Sequence, residues 1–305
     1  MKRVLVTGGS GFIGRHSLAP LVRAGYEVFA VLPDWETAPE LGATVKWRSA
    51  DLLDKTRTER LLEEIRPSHL LHFAWNVEPG KYVSSPGNLL WTSCSLALLH
   101  CFAGCGGRRV VMAGTCAEYD WRRGFLSEHV TPCKPATLYG ACKHALRVAG
   151  EAFAKEVGVS WAWGRIFFLY GPYEDPGRFV ASVARSLLRG EPARCTHGGQ
   201  VRDFLHVQDV ATAFVALLDG DVQGAVNIAS GQGVTLKEIA LTIARRLRKE
   251  RLLEFGALDP PANDPPRLVG DASRLRNEVR WSPAFSLDRG IAHAITWWES
   301  QDLSA

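Results

Sequence analysis

The sequence predicts an α/β protein, a Rossmann-type doubly wound parallel sheet followed by a smaller α/β substrate-binding portion. Three observations predict it. Short apolar runs alternate with amphipathic stretches through the first half of the chain, and a glycine-rich turn joins the first run to the first amphipathic stretch. The length of 305 residues corresponds to roughly two domain units at about 150 residues each. Parallel neighbours need a crossover and a helix supplies it, so strict alternation reads as successive βαβ units.

The runs Val4 to Val6, Glu27 to Leu32, Val45 to Trp47, His69 to Phe73, Val110 to Ala113 and Trp161 to Ile166 are β-branched or apolar and read as buried strands. Between them, Arg15 to Ala24, Lys55 to Ile65, Leu89 to Ala103 and Leu138 to Glu156 carry helical spacing. After Gly171-Pro172 the rhythm loosens. Gly177 to Arg189, Val210 to Leu218, Leu236 to Arg248 and Leu287 to Glu299 read as helices separated by Pro- and Gly-rich turns. These assignments place a dinucleotide-binding domain at 1–165 with a return segment near 205–230. Residues 166–204 and 231–305 form the smaller domain, and the ligand cleft lies between the two, at the carboxyl ends of the strands.

With 46% hydrophobic residues the chain buries a large core, which excludes a disordered tail or a disulfide-stapled mini-protein. Thirty-six basic against 32 acidic side chains leave +4 without a long run of one sign, so nucleic acid is not an expected partner. The longest apolar stretches fall short of the roughly 20 residues a membrane span requires. Met1 to Arg3 leads directly into the first strand, the start of a fold rather than a signal peptide. Seven cysteines without CxxC spacing suggest reduced thiols in the cytoplasm and no metal site.

Thr7 to Gly14, Thr-Gly-Gly-Ser-Gly-Phe-Ile-Gly, follows a strand and opens a helix. Gly8, Gly11 and Gly14 let the backbone turn tightly and approach a pyrophosphate, and the amides of Phe12, Ile13 and Gly14 at the helix end face it. The plainer alternative is a tight βα turn without a ligand. An acid about 20 residues on would hold the adenosine ribose and favour NAD. Asp34 has the right count but follows Leu32-Pro33, and Leu32 at the strand's tip accepts no hydrogen bond. Arg15 after the last glycine suits a 2′-phosphate, or is a solvated first-turn residue. NADP(H) is therefore favoured, with NAD(H) possible. Asp51, with Leu52 beside it, follows the third strand where it meets the adenine, unless Asp51 or Asp54 is a helix N-cap.

Tyr139 and Lys143 lie four apart on a predicted helix and share a face. A phenol near pKa 10 is a poor acid or base at neutral pH, and a neighbouring ammonium stabilises its phenolate. Thr115 ends the fifth strand over the cofactor, where its hydroxyl shares a substrate oxygen with Tyr139. Alternatively it caps the next segment as a turn residue.

These features resemble the extended short-chain dehydrogenase/reductases of the nucleotide-sugar epimerase, dehydratase and ketoreductase group. Beyond the glycine turn and Tyr139 to Lys143, the matching pieces are His72-Phe73-Ala74, Thr115 to Tyr119, Arg165 to Pro172, Gln200 to Val210, and Asp271 to Leu275 with Trp281-Ser282-Pro283. The resemblance implies Tyr139 as acid/base, Lys143 on the nicotinamide ribose and Thr115 on the substrate oxygen. It also implies Ala74 beside the cofactor and Arg202 on the diphosphate of a nucleoside-diphosphate sugar, the expected substrate. The other reading of Arg202 is a structural pair with Asp203 or Asp209.

The chain also departs from the family. Cys116 and Ala117 stand where the 4,6-dehydratases carry two acids, and Glu118, in an extended segment, would point to the opposite face. Phe168 replaces a frequent asparagine of the substrate site. Leu90 falls near the position of another expected asparagine, with Asn88 two residues before it. Trp75 replaces a small residue beside the sugar site and narrows it, unless it belongs to the core. Cys116 and Ala117 disfavour dehydration by the usual route, and Leu32 in place of a ribose-binding acid favours an NADPH-dependent 4-ketoreductase, with a 4-epimerase that keeps NAD bound as the alternative. A non-catalytic dinucleotide-binding regulator is disfavoured, because a pure binder has no use for a tuned phenol. The resemblance further implies a homodimer through Leu89 to Phe102 and Leu138 to Phe153, faces that would equally serve to cover the sheet.

Overall fold

A computed structural model describes residues 2–39, 44–261 and 264–302; Met1 of the N-terminal stretch, and residues 262, 263 and 303–305 of the C-terminal portion, lie outside them. The first strands and helices run β1 (Arg3–Thr7), α1 (Gly14–Arg23), β2 (Glu27–Leu32), β3 (Val45–Ser49), α2 (Lys55–Ile65), β4 (His69–His72), α3 (Gly87–Gly104) and β5 (Arg109–Thr115). They continue through β6 (Phe125–Leu126), α4 (Leu138–Glu156), β7 (Ser160–Ile166), β8 (Phe168–Tyr170), α5 (Phe179–Leu188) and β9 (Ala193–Cys195). The remainder is β10 (Val201–His206), α6 (Val207–Asp219), β11 (Gly224–Ile228), β12 (Gly233–Thr235), α7 (Leu236–Leu247), β13 (Leu253–Phe255), β14 (Arg267–Gly270), α8 (Ser273–Asn277) and α9 (Leu287–Asp302). The sequence places β2, α2 and α4 at the observed bounds and misses β6 and the strands after β7, β10 and β11 included.

Seven strands form one parallel sheet in the order β11-β7-β5-β4-β1-β2-β3. Strand order reverses between β1 and β4, and there the carboxyl ends open a crevice suited to a ligand. Thr7 Oγ1 lies 2.7 Å from His72 Nδ1, and His72 Nε2 lies 2.9 Å from Ser95 Oγ, so a fully buried histidine pins these two strand ends to α3. Burial pulls this imidazole down to about 3, and it stays neutral.

Both faces of the sheet are covered, as near-continuous apolar strands require. Leu18 and Leu21 of α1 and Phe214 and Leu217 of α6 pack with Val4, Val6 and Val226 on one face. Leu61 and Leu62, Leu98 and Phe102, and Leu146 bring α2, α3 and α4 against Leu5, Leu70 and Val110 on the other. Each such side chain contributes ~1.5–3 kcal/mol on burial. A smaller sheet of β12-β10-β14-β6, with β8 beside β10, stands against the carboxyl ends of the large one, and α5, α7 and α9 share a separate core.

Candidate active site

At the switch point the glycine turn lines a cavity of about 230 Å³ together with Ala74, Thr115, Tyr139 and Lys143. Gly8 has φ +67°, and a Cβ there would stand 2.9 Å from the Ala74 amide nitrogen. At Gly14 a Cβ would lie 2.0 Å from the Gly8 carbonyl oxygen, so the turn closes only with glycine. No side chain caps α1, and while the amides of Arg15 and His16 donate to the Gly11 and Ile13 carbonyls, those of Phe12, Ile13 and Gly14 are placed to meet an anion. Gly8, Gly11, Phe12, Ile13, Gly14 and Ala74 all face this space, and the cradle fits a dinucleotide pyrophosphate.

A second cavity of about 420 Å³ runs from Thr115, Cys116 and Ala117 past Phe168 to Arg202. Thr115, Tyr139, Tyr82 and Arg178 line both cavities, so hydroxyl and phenol stand at the seam between them. α4 positions Tyr139 because Thr137 caps it, accepting from Gly140 N at 3.1 Å. Tyr82 packs edge-on to the phenol ring with centroids 4.9 Å apart. Burial pushes the phenol's pKa up, opposed by its hydrogen bond with the Thr115 hydroxyl. Thr115 also caps the turn Cys116–Glu118, accepting from Ala117 N at 3.2 Å, while it lines both cavities.

One turn along, Lys143 is 3% exposed and donates to the Ala113 carbonyl at 2.9 Å. Burial lowers it to about 7. Its ammonium lies 3.7 Å from the centroid of the Trp75 ring, a contact that favours the charged form. Trp75 thus stands on the glycine-turn side rather than in the second cavity, held there by Nε1 donating to Asn88 Oδ1 at 2.8 Å. Asn88 is buried and also holds the carbonyls of Tyr82 and Ser85, whereas Leu90 is exposed.

Several expected contacts are arranged differently. Cys116–Glu118 is a 3-10 turn and not extended, yet Glu118 does point away. It accepts from Thr115 N, Trp163 Nε1 and Arg165 Nε. Arg202 pairs with neither Asp203 nor Asp209. Asp203 accepts from the amides of Ser230, Gly231 and Gly270, and Asp209 from those of Ala284 and Phe285. The partner of Arg202 is Asp264, at 2.5 Å, and its guanidinium lies over the Phe168 ring.

At the ribose end, Arg15 donates twice to the Ser10 carbonyl and stacks on Tyr173 at 4.0 Å. β2 does end at Leu32. Asp34 nevertheless accepts from Ser49 at the end of β3 and pairs with Arg57, so an acid stands beside these strand ends after all. Asp51 accepts from Leu53 N, Leu52 lies in the same turn, and Asp54 is the helix N-cap of α2. Sequence reasoning missed Tyr82, Arg178, Glu174 and Asp264 as cavity residues. Only Tyr82, in the loop after a strand's carboxyl end, carried a signal.

With this arrangement in hand, comparison with known proteins is informative. Residues 4–229 match the NAD dependent epimerase/dehydratase family. The chain belongs to that family. UDP-glucuronic acid decarboxylase 1 of Xenopus tropicalis is 27% identical over 98% of this chain and 73% of its own length. dTDP-glucose 4,6-dehydratase of Xanthomonas campestris pv. campestris is 29% identical over 96% of this chain and 92% of its own. The crystal structure of Thermus thermophilus UDP-glucose 4-epimerase in complex with NAD superposes with a TM-score of 0.85 at 29% identity, covering 97% of this chain and 99% of that one. The protein is accordingly an NAD(P)-dependent enzyme of the nucleotide-sugar short-chain dehydrogenase/reductases. None of its described helices is long and apolar enough to cross a membrane.

Proposed function

We propose that this enzyme is a 4-ketoreductase of a nucleoside-diphosphate sugar, with residues 1–165 and 205–230 holding the dinucleotide and 166–204 with 231–305 holding the sugar nucleotide. The observation that supports the reading is the seam. Thr115 and Tyr139 face both cavities, and the acids that 4,6-dehydration would need beside Thr115 are Cys116 and Ala117. The glycine turn and Ala74 would hold a reduced dinucleotide, which would supply the hydride. Thr115 Oγ1 then orients the C4 oxygen, and Tyr139 Oη gives it a proton. Burial keeps the phenol protonated before turnover and penalises the phenolate that proton donation leaves, so that charge needs a partner. Lys143 places positive charge beside the phenolate that remains, and Trp75 and Ala113 fix its ammonium.

One observation favours the epimerase instead. Asp34 at the ends of β2 and β3 suits the ribose hydroxyls of a tightly kept NAD. Mass analysis of the purified protein separates the two readings. An empty site, together with NADPH oxidation on a panel of 4-keto nucleotide sugars, supports the reductase; retained NAD supports the epimerase. Asp34→Ala is expected to shift preference toward NADPH by about tenfold, since a charge-assisted hydrogen bond is worth ~1.5–3 kcal/mol and the carboxylate repels a 2′-phosphate. Equal changes in both dissociation constants would remove Asp34 from the ribose site.

Arg202 is assigned to the substrate diphosphate, its planar fork matching phosphate oxygens. Arg202→Ala is expected to weaken UDP and nucleotide-sugar binding at least tenfold with the dinucleotide unaffected. Asp264→Asn should tighten UDP, because the carboxylate now occupying the fork competes with phosphate. Titration calorimetry measures both, and loss of dinucleotide binding in the alanine variant would mark Arg202 as structural. We further infer a cytoplasmic homodimer through α3 and α4, on which Leu89, Leu90 and Val148 remain exposed.

A further inference from the structure

Between β8 and α5 the chain turns at Tyr173, which has φ +68°. A bulky side chain adopts that conformation only at a cost, and such strain concentrates at functional sites. The turn separates two neighbours. Tyr173 is thrown outward, half exposed, with its ring 4.9 Å from that of Trp297 and over Arg15. Glu174, whose amide donates to the Gly171 carbonyl at 3.2 Å, is turned inward and is only 4% exposed. It lines the second cavity together with Thr115, Tyr139 and Arg178. Its Oε2 is fully buried without any hydrogen-bond partner.

Buried carboxyl oxygens without a partner are rare, because each forfeits its hydration and receives nothing in return. Burial also raises this group to about 8, against the opposing influence of Arg178 and of a backbone hydrogen bond from Gly171 to the carboxyl group, which leaves Oε2 without a partner. Glu118 presents the contrast. It is more deeply buried, and its oxygens take three N–H donors from the protein itself. Glu174 is therefore held at the wall of the cleft with an oxygen that the protein leaves unanswered.

We propose that Glu174 binds the hexose of the substrate, its carboxyl group exchanging a hydrogen bond with a sugar hydroxyl. The proposal rests on the nucleotide-sugar reading above. A hydroxyl fits the orphan oxygen in either protonation state, since it donates to a carboxylate and both donates to and accepts from an acid. Whereas a hydroxyl fits both forms, the diphosphate fits only the protonated acid, because two anions repel. Its place is with Arg202, which lines the same cavity. The dinucleotide does not reach Glu174 either, because this residue lines only the second cavity.

The test compares sugar-bearing and sugarless ligands on the NAD-loaded protein. UDP-glucose and dTDP-glucose are titrated against UDP and dTDP for the wild type, Glu174→Leu and Glu174→Gln, and melting temperatures are measured in parallel. In the wild type the sugar should improve affinity over the bare diphosphate for at least one pair. Glu174→Leu should cut that improvement at least tenfold and Glu174→Gln at least threefold, with UDP and dTDP affinities within twofold and melting temperatures no lower than wild type. Should the leucine variant fail to fold, the glutamine variant, nearly identical in shape, carries the test alone. An undiminished sugar gain in a folded variant overturns the proposal. So does a lower melting temperature with bare and sugar-bearing ligands weakening together, which is the behaviour of a structural residue. A wild type that binds bare diphosphates as tightly as both sugar nucleotides overturns it as well. A wild type that binds none of the four ligands overturns the nucleotide-sugar reading itself.

Discussion

Tyr139→Phe is expected to lower turnover at least about 100-fold, the usual scale for losing a general acid/base, while dinucleotide affinity and melting temperature stay close to wild type. The ring's neighbours explain why the effect isolates the proton. Tyr82 packs edge-on to it at 4.9 Å and Trp75 at 6.3 Å, and both contacts survive in phenylalanine. Only the hydroxyl at the seam of the two cavities disappears. The backbone amide of Tyr139 donates to the Val83 carbonyl at 3.1 Å and is untouched. Steady-state kinetics on whichever 4-keto nucleotide sugar the wild type reduces, with a dinucleotide titration alongside, provide the measurement. Turnover within tenfold of wild type would remove Tyr139 from the acid/base role and leave Lys143, at about 7, as the nearest titrating alternative.

How much of this was legible in the chain follows from where the partners lie. The strands β1, β2, β5 and β7 of the large sheet are largely apolar because both faces are covered, and their apolar runs betray them directly, whereas the edge strand β3 keeps Lys46 and Arg48 among its residues. β10 gives no such sign. Val-Arg-Asp-Phe-Leu-His mixes charge with bulk, yet Arg202 and Asp203 are buried. They are buried because Asp264 and the amides of Ser230, Gly231 and Gly270 meet them from up to 67 residues away. β11 hides for the same reason. Asn227 interrupts its apolar run, and the amide is buried only by reaching the carbonyls of Leu126 and Asp271. Three-residue strands such as β8 and β12 exist through pairing with β10 alone, and no periodicity forms in so short a span.

The proposed catalytic trio behaves differently. Tyr139 and Lys143 announce themselves by four-residue spacing on a helix, and Thr115 by ending a strand whose position in the sheet the alternation already fixes. The counter-charges do not announce themselves. Arg202 meets Asp264 across 62 residues, and Asp34 meets Arg57 across 23, so a list of nearby acids names the wrong partners. Trp75, which the resemblance sets beside the sugar site or else in the core, is turned toward Lys143 by the bond from its indole to Asn88. Glu174 is visible only once the loop's left-handed residue is known.

The largest stability effect belongs to a pair that does not touch either cavity. Glu118→Ala is expected to cost ~3–5 kcal/mol, the scale for removing one partner of a buried ion pair. Glu118 is fully buried and receives Arg165 Nε at 3.0 Å, Trp163 Nε1 at 2.8 Å and Thr115 N at 2.9 Å. Truncation leaves the Arg165 guanidinium, itself 2% exposed, with only Tyr119 Oη and the Cys133 thiol. The uncompensated charge rather than the lost bonds dominates, because an ion taken from water without a counter-ion is penalised by several kcal/mol. Glu118→Leu combined with Arg165→Met should therefore be milder than the sum of the single changes, with a coupling of at least about 1 kcal/mol. The same carboxylate anchors the amide of Thr115, so variants that stay folded should also lose turnover while keeping their dinucleotide affinity. Denaturant unfolding of the four proteins in the cycle measures the coupling. Additive single effects, or a Glu118→Ala cost below about 1 kcal/mol, would show that the pair is not the anchor of this turn.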